Sequence, residues 1–230
     1  MMLNILDYIR DCHPEVYERT SFRIIEISSQ LADLQHQGLG QSVYTRGHTD
    51  KVEIVNKSIF DWDQYVSNPC YFLALEVFDN FAHDALKYDW ETGAPYQSHV
   101  VIDQRGELFE YYSRTLDPVA AQFLERRHAA CKSYPHPLSS SRLMNHVRSI
   151  LPFQGSLTMP EYIPTRLMQF FYKLYQKFPN HKLISSDFNR LSDTVKGLNA
   201  PVVQTRYKRQ MIPVSTPLVS FRLLHLGNNC

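Results

Sequence analysis

A glycine-rich phosphate loop is the first thing this sequence lacks. Its 230 residues include eight glycines, and none of them forms the strand–GxGxxG–helix pattern that lets a backbone approach a pyrophosphate. Gly38 and Gly40 come after a helix-like run, not between a strand and a helix. The four cysteines, Cys12, Cys70, Cys131 and Cys230, stand far apart with no CxxC pair. That argues against a zinc site or a disulfide framework and suits a reducing compartment. The ten histidines make no HxH, HExxH or HxxxH ligand pair, so no catalytic metal is expected. There is no GxSxG and no cysteine in a nucleophile context, so a serine or cysteine hydrolase lacks its main signal. No apolar run reaches the roughly 18–20 residues that span a bilayer. A net charge of +1 gives no argument for a polyanion surface, so no nucleic-acid partner is expected. Asp7 and Asp11 leave no legible signal or transit peptide at the N-terminus.

What is present has the size and order of an α/β domain. The length suits one such domain, or one with an insertion, and 13% aromatic residues point to a well-filled core or aromatic-lined pockets. Met2, Ile5, Leu6 and Ile9 lie on one side of a first helix, stopped by His13-Pro14. Phe22–Ile27 reads as a strand. Ser28 or Ser29 can cap a helix that carries Leu31 and Leu34 and ends near Gly38 and Gly40. Residues 51–56 form a second strand, followed by a polar-aromatic link with Asp61, Trp62 and Asp63. CYFLAL, residues 70–75, is a continuous apolar run, as expected for a strand covered on both faces. This alternation predicts a parallel sheet with crossover helices.

The pattern then changes. Residues 98–103 and 108–112 flank Gln104-Arg105-Gly106, a hairpin signal and hence an antiparallel insertion. Asp117-Pro118 opens a helix to about Ala130, residues 132–141 form a Pro/Ser-rich loop, and 141–150 suit a short helix. Pro164 is placed to start a helix through Phe178. Residues 182–188 give another strand, and 201–205 with 211–214 a late strand pair across a basic turn.

Three of these strands end in acids: Glu26, Glu76 and Asp187. In an open parallel sheet the carboxyl ends of strands face the ligand crevice. Any one such acid can equally cap a helix or pair with a base; three in the same role point to a cleft. His83, just after Asp79, is a candidate base or a residue on a solvated helix face.

The stretches FRIIEISSQLADLQ, LEVFDNFAHDAL, EYIPTRLMQFF, KLISSDFN and NAPVVQTRYKRQMIPVST together resemble the MidA-like family of S-adenosylmethionine-dependent methyltransferases, most closely its fungal mitochondrial branch. The resemblance covers most of residues 1–218. It implies a class I methyltransferase-like, Rossmann-like fold: a mostly parallel sheet with a hairpin and helical insertion. Residues 1–97 would be the N-terminal part of the core, 98–160 the insertion, 161–219 the C-terminal part of the core and 220–230 an atypical tail. S-adenosylmethionine is the implied methyl donor, with no metal. Its ribose falls to Glu26 and its adenine to the neighbourhood of Asp61, with Ser28 and Glu76 completing the cofactor set. Glu76, Phe78, Asp79 and Asn80 match the family's acid–aromatic motif, although Leu75 stands where the family has Asn. Glu76 and Asp79 are the implied catalytic residues, and Phe78, Asn80 and Asp187 the implied substrate contacts.

The resemblance further implies arginine methylation on a respiratory complex I subunit in mitochondria. An arginine acceptor is a cation, so Glu76 and Asp79 can orient it through paired hydrogen bonds. Methyl transfer then needs little beyond an in-line approach. The family's first strand and Gly-rich loop belong before Met1 and its last strands after Val219. The expectation is therefore a chain truncated at both ends that binds cofactor poorly. The alternative is a catalytically impaired fragment acting as a binding or assembly protein. Acceptor identity and oligomeric state are not legible.

Overall fold

The computed structural model describes residues 1–131, 137–138, 142–149, 155–188, 203–207 and 210–214. The chain is mixed α/β, with both parallel and antiparallel strand pairs. It divides into two compact units: residues 1–70 with 172–181, and residues 71–171 with 182–230.

The first unit begins with helices α1 (Met2–Cys12) and α2 (Pro14–Tyr17). Pro14 ends one helix and starts the next, because its missing N–H costs nothing at a helix's first position. A polar staple then fixes α1. The fully buried His48 meets Asp7 Oδ1 through Nε2 at 3.0 Å and the Tyr17 hydroxyl through Nδ1 at 2.7 Å. Asp7 also takes Arg46 and Arg10 at 2.8 and 2.9 Å. The hydrogen bond from His48 holds the Asp7 carboxyl below its usual range, and the two arginines add to this against partial burial. Strands β1 (Phe22–Glu26) and β2 (Val52–Asn56) pair in parallel, from Phe22 opposite Val52 to Glu26 opposite Asn56. Between them runs α3 (Ser29–Thr45).

Here the structure corrects the sequence reading, because α3 continues through Gly38 and Gly40 to Thr45. Each glycine costs a helix about 1 kcal/mol. One face of the helix stays turned inward across the glycines: Ala32 and Val43 are buried and Gln35 and Leu39 half-buried, at helical spacing. After β2 a single 3₁₀ turn, Ile59–Asp61, leads to buried Trp62, which packs on Phe178 at 5.4 Å.

The second unit is built on a four-stranded antiparallel sheet. Its strands are β4 (Asp84–Tyr88), β5 (Pro95–Ile102), β6 (Leu108–Ser113) and β7 (Glu161–Ile163), in the order β6-β5-β4-β7. The hairpin β5–β6 is the one the sequence predicts, and its turn closes with Gly106 at φ 80°. Strands β4 and β7 escape the sequence reading. Helix α4 (Pro118–Ala130) covers one face of the sheet, packing Ala120 with Leu86, Tyr88 and Ile163. Asp117 caps it by accepting from the Val119 and Ala120 N–H groups at 2.9 and 2.8 Å. Helix α5 (Arg142–Ser149) follows. Helix α6 (Thr165–Lys177) begins one residue after Pro164.

Strands β3 (Cys70–Leu75) and β8 (His181–Ser186) pair with each other. Hydrogen bonds from Cys70 N to Asn180 O (3.4 Å) and from Glu76 N to Ser186 O (2.8 Å) keep one sequence offset, so the two run in the same direction. β3 is less covered than its apolar run predicts: Tyr71 is 64% and Leu75 41% exposed, because hydrophobic content alone does not say which faces a strand buries. The strands also form no single parallel sheet among the described residues. β1–β2 and β3–β8 are separate pairs, and the largest sheet is antiparallel. The last pair, β9 (Val203–Tyr207) with β10 (Gln210–Val214), is antiparallel as expected. Most of the Pro/Ser-rich loop and all of residues 215–230 lie outside the described residues.

Candidate functional site

The implied site residues divide between the two units. Glu26, Ser28 and Asp61 belong to the first; Glu76, Phe78, Asp79, Asn80 and Asp187 belong to the second.

In the first unit, Glu26 is the last residue of β1 and half-buried. Its carboxylate Oε1 accepts the Ser28 N–H at 2.8 Å, and Oε2 faces Gln35 Nε2 at 3.4 Å. Its backbone carbonyl accepts from Asn56 Nδ2 at 2.8 Å. The acid therefore shapes the turn from β1 into α3 and still keeps free lone pairs, since a carboxylate offers about four acceptor positions. Ser28 is the N-cap of α3, its Oγ accepting the Leu31 N–H at 3.3 Å. Asp61 ends the turn that follows β2 and is exposed. Its carboxylate has no hydrogen-bond partner among the described residues.

In the second unit, the chain leaves β3 through Glu76, the one non-glycine residue with positive φ (54°) among those described. Such a conformation is strained for a residue with a Cβ, and strain of this kind collects at functional sites. The Glu76 carboxylate is exposed and has no hydrogen-bond partner among the described residues. A 3₁₀ turn, Phe78–Asn80, comes next. Asp187 Oδ2 holds that turn, accepting the Phe78 and Asp79 N–H groups at 2.9 and 3.2 Å. Asn80 Nδ2 donates to Asp79 Oδ1 at 2.6 Å and to the Glu76 carbonyl at 3.2 Å. Beneath lie aromatic rings: Phe78 is 5.6 Å from Phe170, 5.8 Å from Phe81 and 6.3 Å from Phe171. The structure thus gathers all five predicted residues of this unit on one short loop and its anchor. His83 lies in the coil before β4, exposed, with Nδ1 2.9 Å from the Phe81 carbonyl oxygen, and not on a helix face.

Gln35 is the residue that the sequence reading did not single out. It is half-buried on the inward face of α3, three residues after Ala32, and its Oε1 is buried with no hydrogen-bond partner among the described residues. A polar residue at an apolar-face position is the signal that could have found it. An acid at the end of a parallel strand, beside a buried acceptor that lacks a donor, suits a ligand rich in hydroxyl donors, as a nucleoside is. Among the described residues no group of three or more His, Cys, Asp or Glu side chains is arranged to hold a metal, and no helix is long and apolar enough to cross a membrane.

Comparison with known proteins bears on this arrangement. Residues 1–225 match the family described as "Putative S-adenosyl-L-methionine-dependent methyltransferase". The chain is 28% identical over 207 residues to a Schizosaccharomyces pombe protein named "Protein arginine methyltransferase NDUFAF7 homolog, mitochondrial". That alignment covers 87% of this chain and 44% of the relative, so the chain spans less than half the relative's length. A crystal structure of an uncharacterized protein from Burkholderia thailandensis aligns with a TM-score of 0.48 at 10% identity, over 88% of this chain and 45% of that one. With the family match spanning nearly the whole sequence, the chain belongs to the MidA-like family of S-adenosylmethionine-dependent methyltransferases.

Proposed function

We propose that the chain is the part of a protein arginine methyltransferase that holds the adenosine of S-adenosylmethionine and presents the acceptor arginine. A respiratory complex I subunit in mitochondria is the proposed substrate. The observation that carries this reading is the Glu76–Asn80 loop: an exposed carboxylate at a strained strand end with no partner among the described residues, a second carboxylate beside it, and aromatic rings close by. The arginine assignment and the mitochondrial location draw support from the named relative.

The cofactor, when bound, supplies an electrophilic methyl group on a sulfonium sulfur. The chain's own residues do the rest. Glu26 accepts from the ribose hydroxyls, and Asp61, exposed after the neighbouring strand, takes the adenine amine. Glu76 and Asp79 receive the N–H groups of the acceptor guanidinium, the planar fork that matches carboxylates. Asp79 is already oriented by Asn80, and Asp187 keeps the turn in place, so little reorganisation is needed when the acceptor arrives. Phe78 offers a ring to the cation. Glu76, with no competing partner among the described residues, takes the proton that the alkylated nitrogen releases.

Calorimetric titration with S-adenosylmethionine tests the cofactor half. Weak binding is expected, and Glu26→Ala should weaken it further by about 1–3 kcal/mol, the range for losing a partner of buried hydroxyls. Unchanged affinity in that variant removes the ribose role. Absence of binding at millimolar cofactor removes catalysis for this chain and leaves the binding or assembly role.

A further inference from the structure

Two details of the first unit point to a second side chain in the cofactor pocket. The amide of Gln35 must turn its Nε2 towards Glu26, because an ionised carboxylate accepts hydrogen bonds and cannot donate them. That orientation fixes where the amide oxygen goes: into a buried position with no donor among the described residues. The contact itself is slack, since 3.4 Å exceeds the usual N–H···O range of about 2.7–3.2 Å. A slack donor and an orphaned acceptor on the same amide describe a side chain whose arrangement is incomplete. Gln35 is held there by α3: Ala32 and Val43, on the same helix face, are buried at 3% and 7% exposure.

We infer that Gln35 binds the adenosine diol together with Glu26: in the free chain its Nε2 rests against the Glu26 carboxylate, and on binding its Oε1 turns to accept one of the two ribose hydroxyls. A vicinal diol presents two donors on adjacent carbons, which suits two acceptors held side by side. The terminal amide torsion of glutamine is soft, so Oε1 can turn out to an arriving hydroxyl, giving up only the slack 3.4 Å contact of Nε2 with Glu26. The inference rests on the proposed cofactor site at Glu26.

The test is calorimetry on the whole chain with S-adenosylhomocysteine and with its 2′,3′-dideoxy analogue. The variants are Gln35→Met, which keeps the shape and removes both polar groups, and Glu26→Gln. Gln35→Met should weaken S-adenosylhomocysteine binding about tenfold, the effect of one hydrogen bond of ordinary strength. It should cost nothing further with the dideoxy analogue. Its unfolding temperature should hold or rise, because an unpaired buried acceptor has been removed. Gln35→Leu, read in the same way, replaces it if the methionine variant does not fold. Equal losses with both ligands, or no loss with either, overturn the inference. If Glu26→Gln weakens binding while Gln35→Met does not, the Gln35 role falls and the Glu26 site stands. If Glu26→Gln binds as tightly as the unmutated chain, or if that chain binds neither ligand, both fall.

Discussion

The acids of the antiparallel sheet and the acids at the ends of the parallel strands live under opposite conditions. Glu161 on β7 is 2% exposed, and each of its oxygens is taken. Arg127 Nη1 reaches Oε1 at 2.6 Å, and the Tyr88 hydroxyl reaches Oε2 at 2.5 Å. Asp84 and Asp117 share the amide of buried Gln97, and Asp84 also takes the Thr165 hydroxyl. Glu76 and Asp61 are exposed and make no such bonds among the described residues. Glu26 and Asp187 lie between these extremes: Glu26 accepts the Ser28 N–H, Asp187 those of Phe78 and Asp79, and each so shapes a turn. The difference separates two uses of a carboxylate. A buried acid must be paired or it destabilises the fold; an unpaired acid survives only where water, or a ligand, can reach it.

Breaking the buried side of that comparison should cost the most. Glu161→Ala removes the carboxylate that accepts from the Arg127 guanidinium and the Tyr88 hydroxyl. Both groups are largely withdrawn from water, and burial, then the hydrogen bond and charge of Glu161, push the Tyr88 hydroxyl's pKa well up. Removing one member of a buried ion pair costs about 3–5 kcal/mol. Urea unfolding should show that loss; a change below about 1 kcal/mol would mean that the network is not buried in solution.

A smaller loss, about 1–2 kcal/mol, is expected for Asp117→Ala, which uncaps α4. Burial works to raise the Asp117 pKa, but the N–H groups of Ala120 and Val119 and the Gln97 amide hold it below its usual value. A carboxyl depressed in the folded state stabilises above its unfolded pKa of about 3.9 and loses that contribution as pH falls through the lower folded value. Removing it should therefore flatten the acid limb of the stability–pH curve. An unaltered acid limb would assign the stabilisation to other groups.

How far the sequence foretold this contrast depends on range. Local signals held: His13-Pro14 ended α1, Asp117-Pro118 opened α4, and Gln104-Arg105-Gly106 turned the hairpin, because each acts within a few residues of itself. Three strand-ending acids were legible for the same reason. Long-range pairing was not. β4 and β7 are short and mixed in character, and become strands only through partners as distant as Asp84 and Ile163. The end of α3 was misread because its inward face runs on through Leu39 and Val43, past two glycines. The role of Asp187 as the anchor of the Phe78–Asn80 turn spans more than a hundred residues, and nothing in KLISSDFN announces which backbone it will hold. Gln35 lay inside the most closely read stretch, yet its significance is a buried atom without a donor, a property of packing and not of sequence.

The exposed side of the comparison is sharpest at Glu76, where substitution should leave stability nearly intact or improve it. Glu76→Gly removes a Cβ from a left-handed conformation that costs an L-residue about 1–2 kcal/mol. The extra chain entropy of glycine takes back about 0.5–1 kcal/mol, so a net gain of roughly 0–1.5 kcal/mol is expected. Glu76→Gln keeps the Cβ and the strain, and should lie within about 0.5 kcal/mol of the unmutated chain, as surface changes usually do. Yet if Glu76 takes the acceptor's proton, both variants should lose methyl transfer to an arginine peptide by roughly 10²–10⁴-fold, the contribution of a positioned general base. Cofactor binding measured alongside separates this from a damaged pocket. A strained, unpaired acid whose removal stabilises the chain and abolishes transfer is held there for chemistry. One whose removal changes neither is only a strand end.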